Sequence, residues 1–155
     1  MKILVVDDEA PIRDVIRKGL LQMGGYNVEV AQNGLEAIEK IEKDVFDLVL
    51  TDLKMPEMNG LELLKTIKGI RPEVMVILMT AYGSIETAVE AMKIGANDYI
   101  TKPIDLNELL IHISKVQKES LLLKENRLLR MEVRKKFEFN NIIGKLFRLG
   151  RVNMR

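Results

Sequence analysis

Residues 2–11 read KILVVDDEAP: an apolar run, Ile3 to Val6, leads straight into two adjacent carboxylates, Asp7 and Asp8, and then a proline. A run this short and this rich in β-branched residues predicts a strand buried on both faces, and such strands belong to parallel sheets. Two like charges at its end need a partner. Working outward, NVEVA (27–31), DLVLT (47–51), VMVILMT (74–80) and DYIT (98–101) read as further strands. Between them lie segments with helical spacing: PIRDVIRKGLLQMG (11–24), with Ile12, Val15, Ile16 and Leu20 on one face, then GLEAIEKIEK (34–43), GLELLKTIKGI (60–70) and SIETAVEAMKIG (84–95). Strand and helix alternate five times. That order predicts an α/β domain with a five-stranded parallel sheet, helices on both faces and right-handed crossovers.

Composition sets outer bounds. The chain has 155 residues, 47% of them hydrophobic and 30% charged, enough for one packed domain and an appendage. With no cysteine and a single histidine, His112, neither a disulfide framework nor a zinc cluster is available. The start is too poor in apolar residues for a signal sequence, and no later run approaches a membrane span, so a cytoplasmic protein is expected. The net charge of +1 conceals an asymmetry. Residues 1–123 hold 14 Lys and Arg against 20 Asp and Glu, and residues 124–155 hold 10 against 3.

Helix punctuation agrees with these boundaries. Pro11 suits a first turn, Gly24 and Gly95 suit helix ends, Ser84 suits an N-cap, and Asp105 with Glu108 resembles a capping box that opens a fifth helix. That helix meets no stop until about Lys136. Thirty residues is long for a globular helix, so its second half is expected to leave the domain.

In an open parallel sheet, ligands bind at the carboxyl ends of the strands. The first strand ends in Asp7 and Asp8, the third in Asp52, the fourth in Thr80, and the fifth leads into Lys102. Each taken singly has an ordinary reading: Asp7 and Asp8 as helix caps, Lys102 as a surface lysine, Thr80 as a strand end. Together they converge on one edge. A divalent cation between the aspartates relieves their repulsion, and oxygen ligands without His or Cys point to Mg2+.

The segments VVDDE, LVLTDLKMPEMNG, ILMTAYG and DYITKP resemble the receiver domain of two-component response regulators, over residues 1–118. The resemblance implies a flavodoxin-like fold with strand order 2-1-3-4-5. It also implies that Asp52 accepts a phosphoryl group from a histidine kinase, with Asp8 and Asp52 ligating Mg2+ directly, Asp7 through water, and the Lys54 backbone carbonyl completing the protein ligands. Lys102 is then the charge clamp, Pro103 follows a cis peptide, and Thr80 and Tyr99 form the switch. Such a domain is no enzyme beyond its own phosphorylation and dephosphorylation. The segment from Gly83 through Ile85, Ala88, Val89 and Met92 is expected to be mobile and part of a dimer surface.

Beyond the domain, Leu109, Ile113, Val116, Ser120 and Leu123 follow heptad spacing, and Leu122, Asn126, Leu129 and Val133 continue it one residue out of register. Residues 119–136 are therefore expected to form a dimeric coiled-coil linker. FEFNNIIGK (137–145) is similar to the start of the AAA+ ATPase domain in NtrC-type activators, which work with an alternative sigma factor and carry a DNA-binding domain. Here the chain continues as LFRLGRVNMR without a GxxxxGK[ST] loop. Residues 137–155 are accordingly expected to be a truncated or altered start of an output domain, and disordered.

Three alternatives compete. An aspartyl phosphatase would put a DxDx[TV] loop on the first strand, which VVDDEAP does not match. An FMN-binding module would want hydroxyls and glycines there. A stand-alone receiver could use the basic tail (Lys135, Lys136, Arg148, Arg151) on DNA, although no helix-turn-helix pattern accompanies it.

Overall fold

The computed structural model describes residues 1–81 and 85–148, with the Ile85 side chain set aside. The expected roles of Gly83, Ser84 and the Ile85 side chain, and of Arg151 in the basic tail, lie outside the described residues. The chain divides into two units, Met1–Val116 and Gln117–Arg155.

The first unit holds strands β1 (Lys2–Val6), β2 (Asn27–Ala31), β3 (Leu48–Asp52), β4 (Met75–Thr80) and β5 (Asp98–Thr101), alternating with helices α1 (Ala10–Gly24), α2 (Gly34–Lys43), α3 (Gly60–Ile70), α4 (Ile85–Ile94) and α5, which begins at Leu106. The strands form one parallel sheet in the order β2-β1-β3-β4-β5. This is the flavodoxin-like order expected from the sequence. The central strands β3 and β4 are buried at every position, as their unbroken apolar runs require.

Side chains alternate across the sheet and so divide the core in two. Leu4, Val6, Val49, Val76 and Leu78 face α2, α3 and α4, against Ile41, Leu63, Leu64, Ile67 and Ala91. Ile3, Val5, Leu48, Leu50, Ile77 and Met79 face α1 and α5, against Ile16, Leu20, Leu109, Ile113 and Val116. The α1 face differs from expectation at Val15, which is 58% exposed. The buried stripe runs through Ile16, Gly19 and Leu20 instead, because a side chain at Gly19 would collide with Leu106 from α5.

Local capping fixes where the helices start. Asn33 accepts from the Glu36 amide at 2.8 Å, and Asn59 from the Glu62 amide at 2.9 Å, which satisfies orphan donors at the starts of α2 and α3. Asp105 accepts from the Asn107 and Glu108 amides, one half of the expected box. The left-handed cap after α1 is Gly25 (φ 65°), one residue beyond the expected Gly24.

The second unit is helical throughout its described part, since α5 runs from Leu106 to Arg148. The helix thus continues past Lys136, where the sequence reading ends it, and the expected disorder of residues 149–155 lies outside the described residues. Residues 137–148 contain no proline, and Ile142, Ile143, Leu146 and Phe147 keep helical spacing; Gly144 weakens the helix most, by about 1 kcal/mol relative to alanine. Residues 121–142 are all exposed, Leu121, Leu122, Leu128, Leu129, Val133 and Phe137 among them. No helix among the described residues is long and apolar enough to cross a membrane.

Candidate functional site

Parallel strands present their carboxyl ends along one edge, and that edge collects the expected residues. Asp7 follows the last residue of β1, Asp52 and Thr80 end β3 and β4, and Lys102 follows β5. Carboxylate oxygens of Asp7, Asp8 and Asp52 lie within 4.8 Å of one another. Asp7 and Asp52 are buried and Asp8 is exposed, so the cluster opens to solvent on one side. The Lys102 ammonium closes the other, 3.0 Å from Asp7 Oδ2 and 3.3 Å from Asp52 Oδ2.

The surrounding backbone holds these groups in place. Lys102 N–H donates to the Thr80 carbonyl at 2.7 Å, and the Lys102–Pro103 peptide is cis, as the family resemblance implies. After Asp52 the chain turns back through a loop in which Glu57 takes a left-handed conformation (φ 67°) and the Gly60 amide donates to the Leu53 carbonyl at 2.8 Å. A Cβ on Gly60 would stand 2.4 Å from the Asp52 carbonyl oxygen, so this return path needs glycine. Thr80 is buried, and its hydroxyl has no hydrogen-bond partner among the described residues.

Comparison with known proteins gives the family. The response regulator receiver domain family matches residues 3–114. The chain belongs to that family. This receiver is 51% identical over 112 residues to the transcriptional regulatory protein ZraR of Klebsiella oxytoca, covering 72% of this chain and 25% of that protein. It is 36% identical over 142 residues to the regulatory protein AtoC of Escherichia coli, covering 92% of this chain and 31% of AtoC. The chain thus spans about a quarter to a third of the length of these relatives. Among solved structures, a receiver domain protein from Clostridium thermocellum superposes with a TM-score of 0.73 at 37% identity, covering 79% of this chain and 98% of that one. NtrX from Brucella abortus superposes at 0.77 with 35% identity, covering 83% of this chain and 29% of its own.

The electrostatics of the receiver site follow from burial and crowding. Burial pushes the Asp52 carboxyl above the usual carboxylate range; the Lys102 charge opposes this, and the Asp7 charge adds to it. For Lys102, burial pulls the ammonium down, but the hydrogen bond and charge of Asp7, with those of Asp52, outweigh it and leave the net shift upward. The cluster therefore holds more negative charge than one lysine neutralises. An all-oxygen ligand set with an excess of negative charge and one open side fits Mg2+, which binds one or two carboxylates and keeps several waters.

The two remaining expected residues differ in their relation to the carboxylates. The Lys54 amide hydrogen-bonds the Asp52 carboxylate, while the Lys54 side chain is exposed. Tyr99 is 41% exposed and lines a surface cleft of about 370 Å³ with Ala88, Val89, Met92 and Lys93, away from the carboxylates. Sequence reasoning passed over Arg13, whose Nη1 donates to the Asp7 carbonyl at 2.6 Å.

Proposed function

We propose that Asp52 accepts a phosphoryl group from the phosphohistidine of a histidine kinase, with Mg2+ held by Asp7, Asp8, Asp52 and the Lys54 carbonyl. The observation that carries this reading is the buried Asp52 carboxylate beside two further aspartates and 3.3 Å from the Lys102 ammonium. An Asp52 oxygen attacks phosphorus, the bond from phosphorus to the imidazole nitrogen breaks, and the product is an acyl phosphate on Asp52. Bound Mg2+ supplies positive charge against the phosphoryl oxygens. Lys102 supplies the same from the protein side and holds Asp7 and Asp52 in their relative positions. The unpartnered Thr80 hydroxyl is a donor waiting for a new acceptor, and a phosphoryl oxygen on Asp52 is that acceptor. Tyr99, on the neighbouring strand, turns inward as the Thr80 segment moves.

The output follows from the company the chain keeps. A transcriptional regulator shares its first unit, and FEFNNIIGK resembles the start of an AAA+ domain, so the receiver serves a cytoplasmic NtrC-type, sigma-54-dependent activator with AAA+ ATPase and DNA-binding output domains. Residues 1–118 are the receiver, and residues 119–136 are the linker. Exposed Val89, Met92 and Tyr99 on the α4–β5 face, and Leu122, Leu129 and Val133 on the linker helix, are surfaces for a second copy; phosphorylation changes how the two copies are arranged.

Incubation with acetyl phosphate, followed by intact-mass spectrometry, tests the chemistry. One phosphoryl adduct is expected on the wild type with Mg2+, and none with EDTA or in Asp52→Asn; an adduct that persists in Asp52→Asn overturns the assignment.

A further inference from the structure

Asp7 is fully buried, and each of its hydrogen-bonding atoms is engaged. Its N–H donates to the Ala31 carbonyl at 3.2 Å, Oδ1 accepts from the Glu9 amide at 2.9 Å, and Oδ2 accepts from Lys102 Nζ at 3.0 Å. The first bond extends the β1–β2 ladder, the second tightens the turn into α1, and the third is the ion pair of the site. The fourth is of another kind. The Asp7 carbonyl accepts from Arg13 Nη1 at 2.6 Å, a contact between residues six apart that joins the end of β1 to the body of α1.

That carbonyl belongs to the peptide plane between Asp7 and Asp8. A peptide is rigid and planar, so its orientation sets the direction in which the chain leaves both α-carbons, and with it where the two carboxylates can point. It lies past the last residue of the strand, in a residue with no solvent exposure, where a buried carbonyl needs a donor. Arg13 itself is only partly buried, and its backbone N–H donates to the Glu9 carbonyl at 3.2 Å, so α1 holds the base of the side chain while the guanidinium reaches back over the turn. Among the described residues, no other side chain hydrogen-bonds a main-chain atom of the acidic pair.

We propose that Arg13 is a positioning residue for the acidic pair: by pinning the Asp7–Asp8 peptide plane, it aligns the two carboxylates with Asp52 for a divalent cation. The proposal rests on the metal reading of the carboxylates given above. Losing a bond from the outside onto a ligand residue typically costs about tenfold or more in metal affinity or activity, and a bond to the main chain of the acidic pair, remote from the Asp52 oxygen that attacks phosphorus, falls on the affinity side. Arg13 therefore acts on how much metal is bound, and not on the rate of the loaded protein.

The test is Mn2+ binding to the full chain, followed as loss of the free-ion electron paramagnetic resonance signal, with Mg2+ competition. Thermal unfolding in EDTA and circular dichroism establish that each variant is folded. Arg13→Met is expected to weaken Mn2+ binding about tenfold. Arg13→Lys, which keeps a donor on a long stem, is expected to recover most of that loss. In acetyl phosphate reactions, Arg13→Met should need more Mg2+ for half its maximal rate and reach the wild-type rate at saturation. Unchanged or tighter Mn2+ binding in folded Arg13→Met overturns the proposal, tighter binding meaning that the guanidinium only repels the ion. A wild type that binds no Mn2+ removes the metal reading itself, and the role of Arg13 with it.

Discussion

At the scale of single residues, the site stores unfavourable charge in the resting protein. The Asp52 carboxyl is raised by burial, so between the unfolded value near 3.8 and its higher folded value the native state binds more protons than the unfolded chain. Stability therefore falls as pH rises through that window, and the full penalty is present above the folded value. Asp52→Asn removes it. In EDTA at pH 7 this variant should be more stable than wild type by on the order of 1 kcal/mol, the scale of a partly screened like-charge contact. The gain should shrink as pH falls toward 4, which denaturant titrations at several pH values will follow. Thr80→Val replaces a buried hydroxyl that has no partner among the described residues, so resting stability should hold within about 1 kcal/mol. The same variant should still take a phosphoryl group on Asp52 but lose the change in self-association, as read by light scattering before and after phosphorylation.

At the scale of elements, the caps decide where the site loops end. Asn59 opens α3 directly after the loop that follows Asp52, and Asn59→Ala should cost about 1 kcal/mol in chemical denaturation. Neither this cap nor Asn33 was singled out from the sequence, although each has a Glu three residues on, because an Asn–Glu pair at that spacing is common and marks a helix start only once the following segment is known to be helical. Strands and site residues were legible. Val6 to Asp7 is an abrupt change from apolar to charged, and the apolar run Leu48 to Leu50 passes through Thr51 to Asp52; a carboxylate at the end of such a strand has few structural explanations. Arg13 was not legible, because a bond from a side chain to a carbonyl six residues back depends on the angle at which α1 leaves β1. Val15 was misread since helical spacing alone does not say how wide the buried stripe is; Gly19, close under Leu106, is what rotates the α1 contact. The helix past Lys136 is harder to read in the sequence, because FEFNNIIGK resembles another domain's start while Ile142, Leu146 and Phe147 keep helical spacing.

At the scale of the whole molecule, the chain couples an acidic receiver to a basic helix with apolar residues left exposed. Leu122, Leu129 and Val133 fall on heptad positions with Asn126 among them, a pattern suited to pairing with a second copy in register. Leu122→Glu with Leu129→Glu should therefore shift the full chain toward monomer by at least tenfold in dissociation constant, about 1.4 kcal/mol, in sedimentation equilibrium. Phosphorylation by acetyl phosphate should be unaffected in that variant. The most direct test of the central claim is to trap the acyl phosphate itself. Borohydride reduction of the phosphorylated chain converts an aspartyl phosphate to homoserine, and peptide sequencing by tandem mass spectrometry then locates it. Homoserine at position 52 alone, dependent on Mg2+, is the predicted result. Homoserine at Asp7 or Asp8, or at no position in a chain that carries the phosphoryl adduct, would contradict the account.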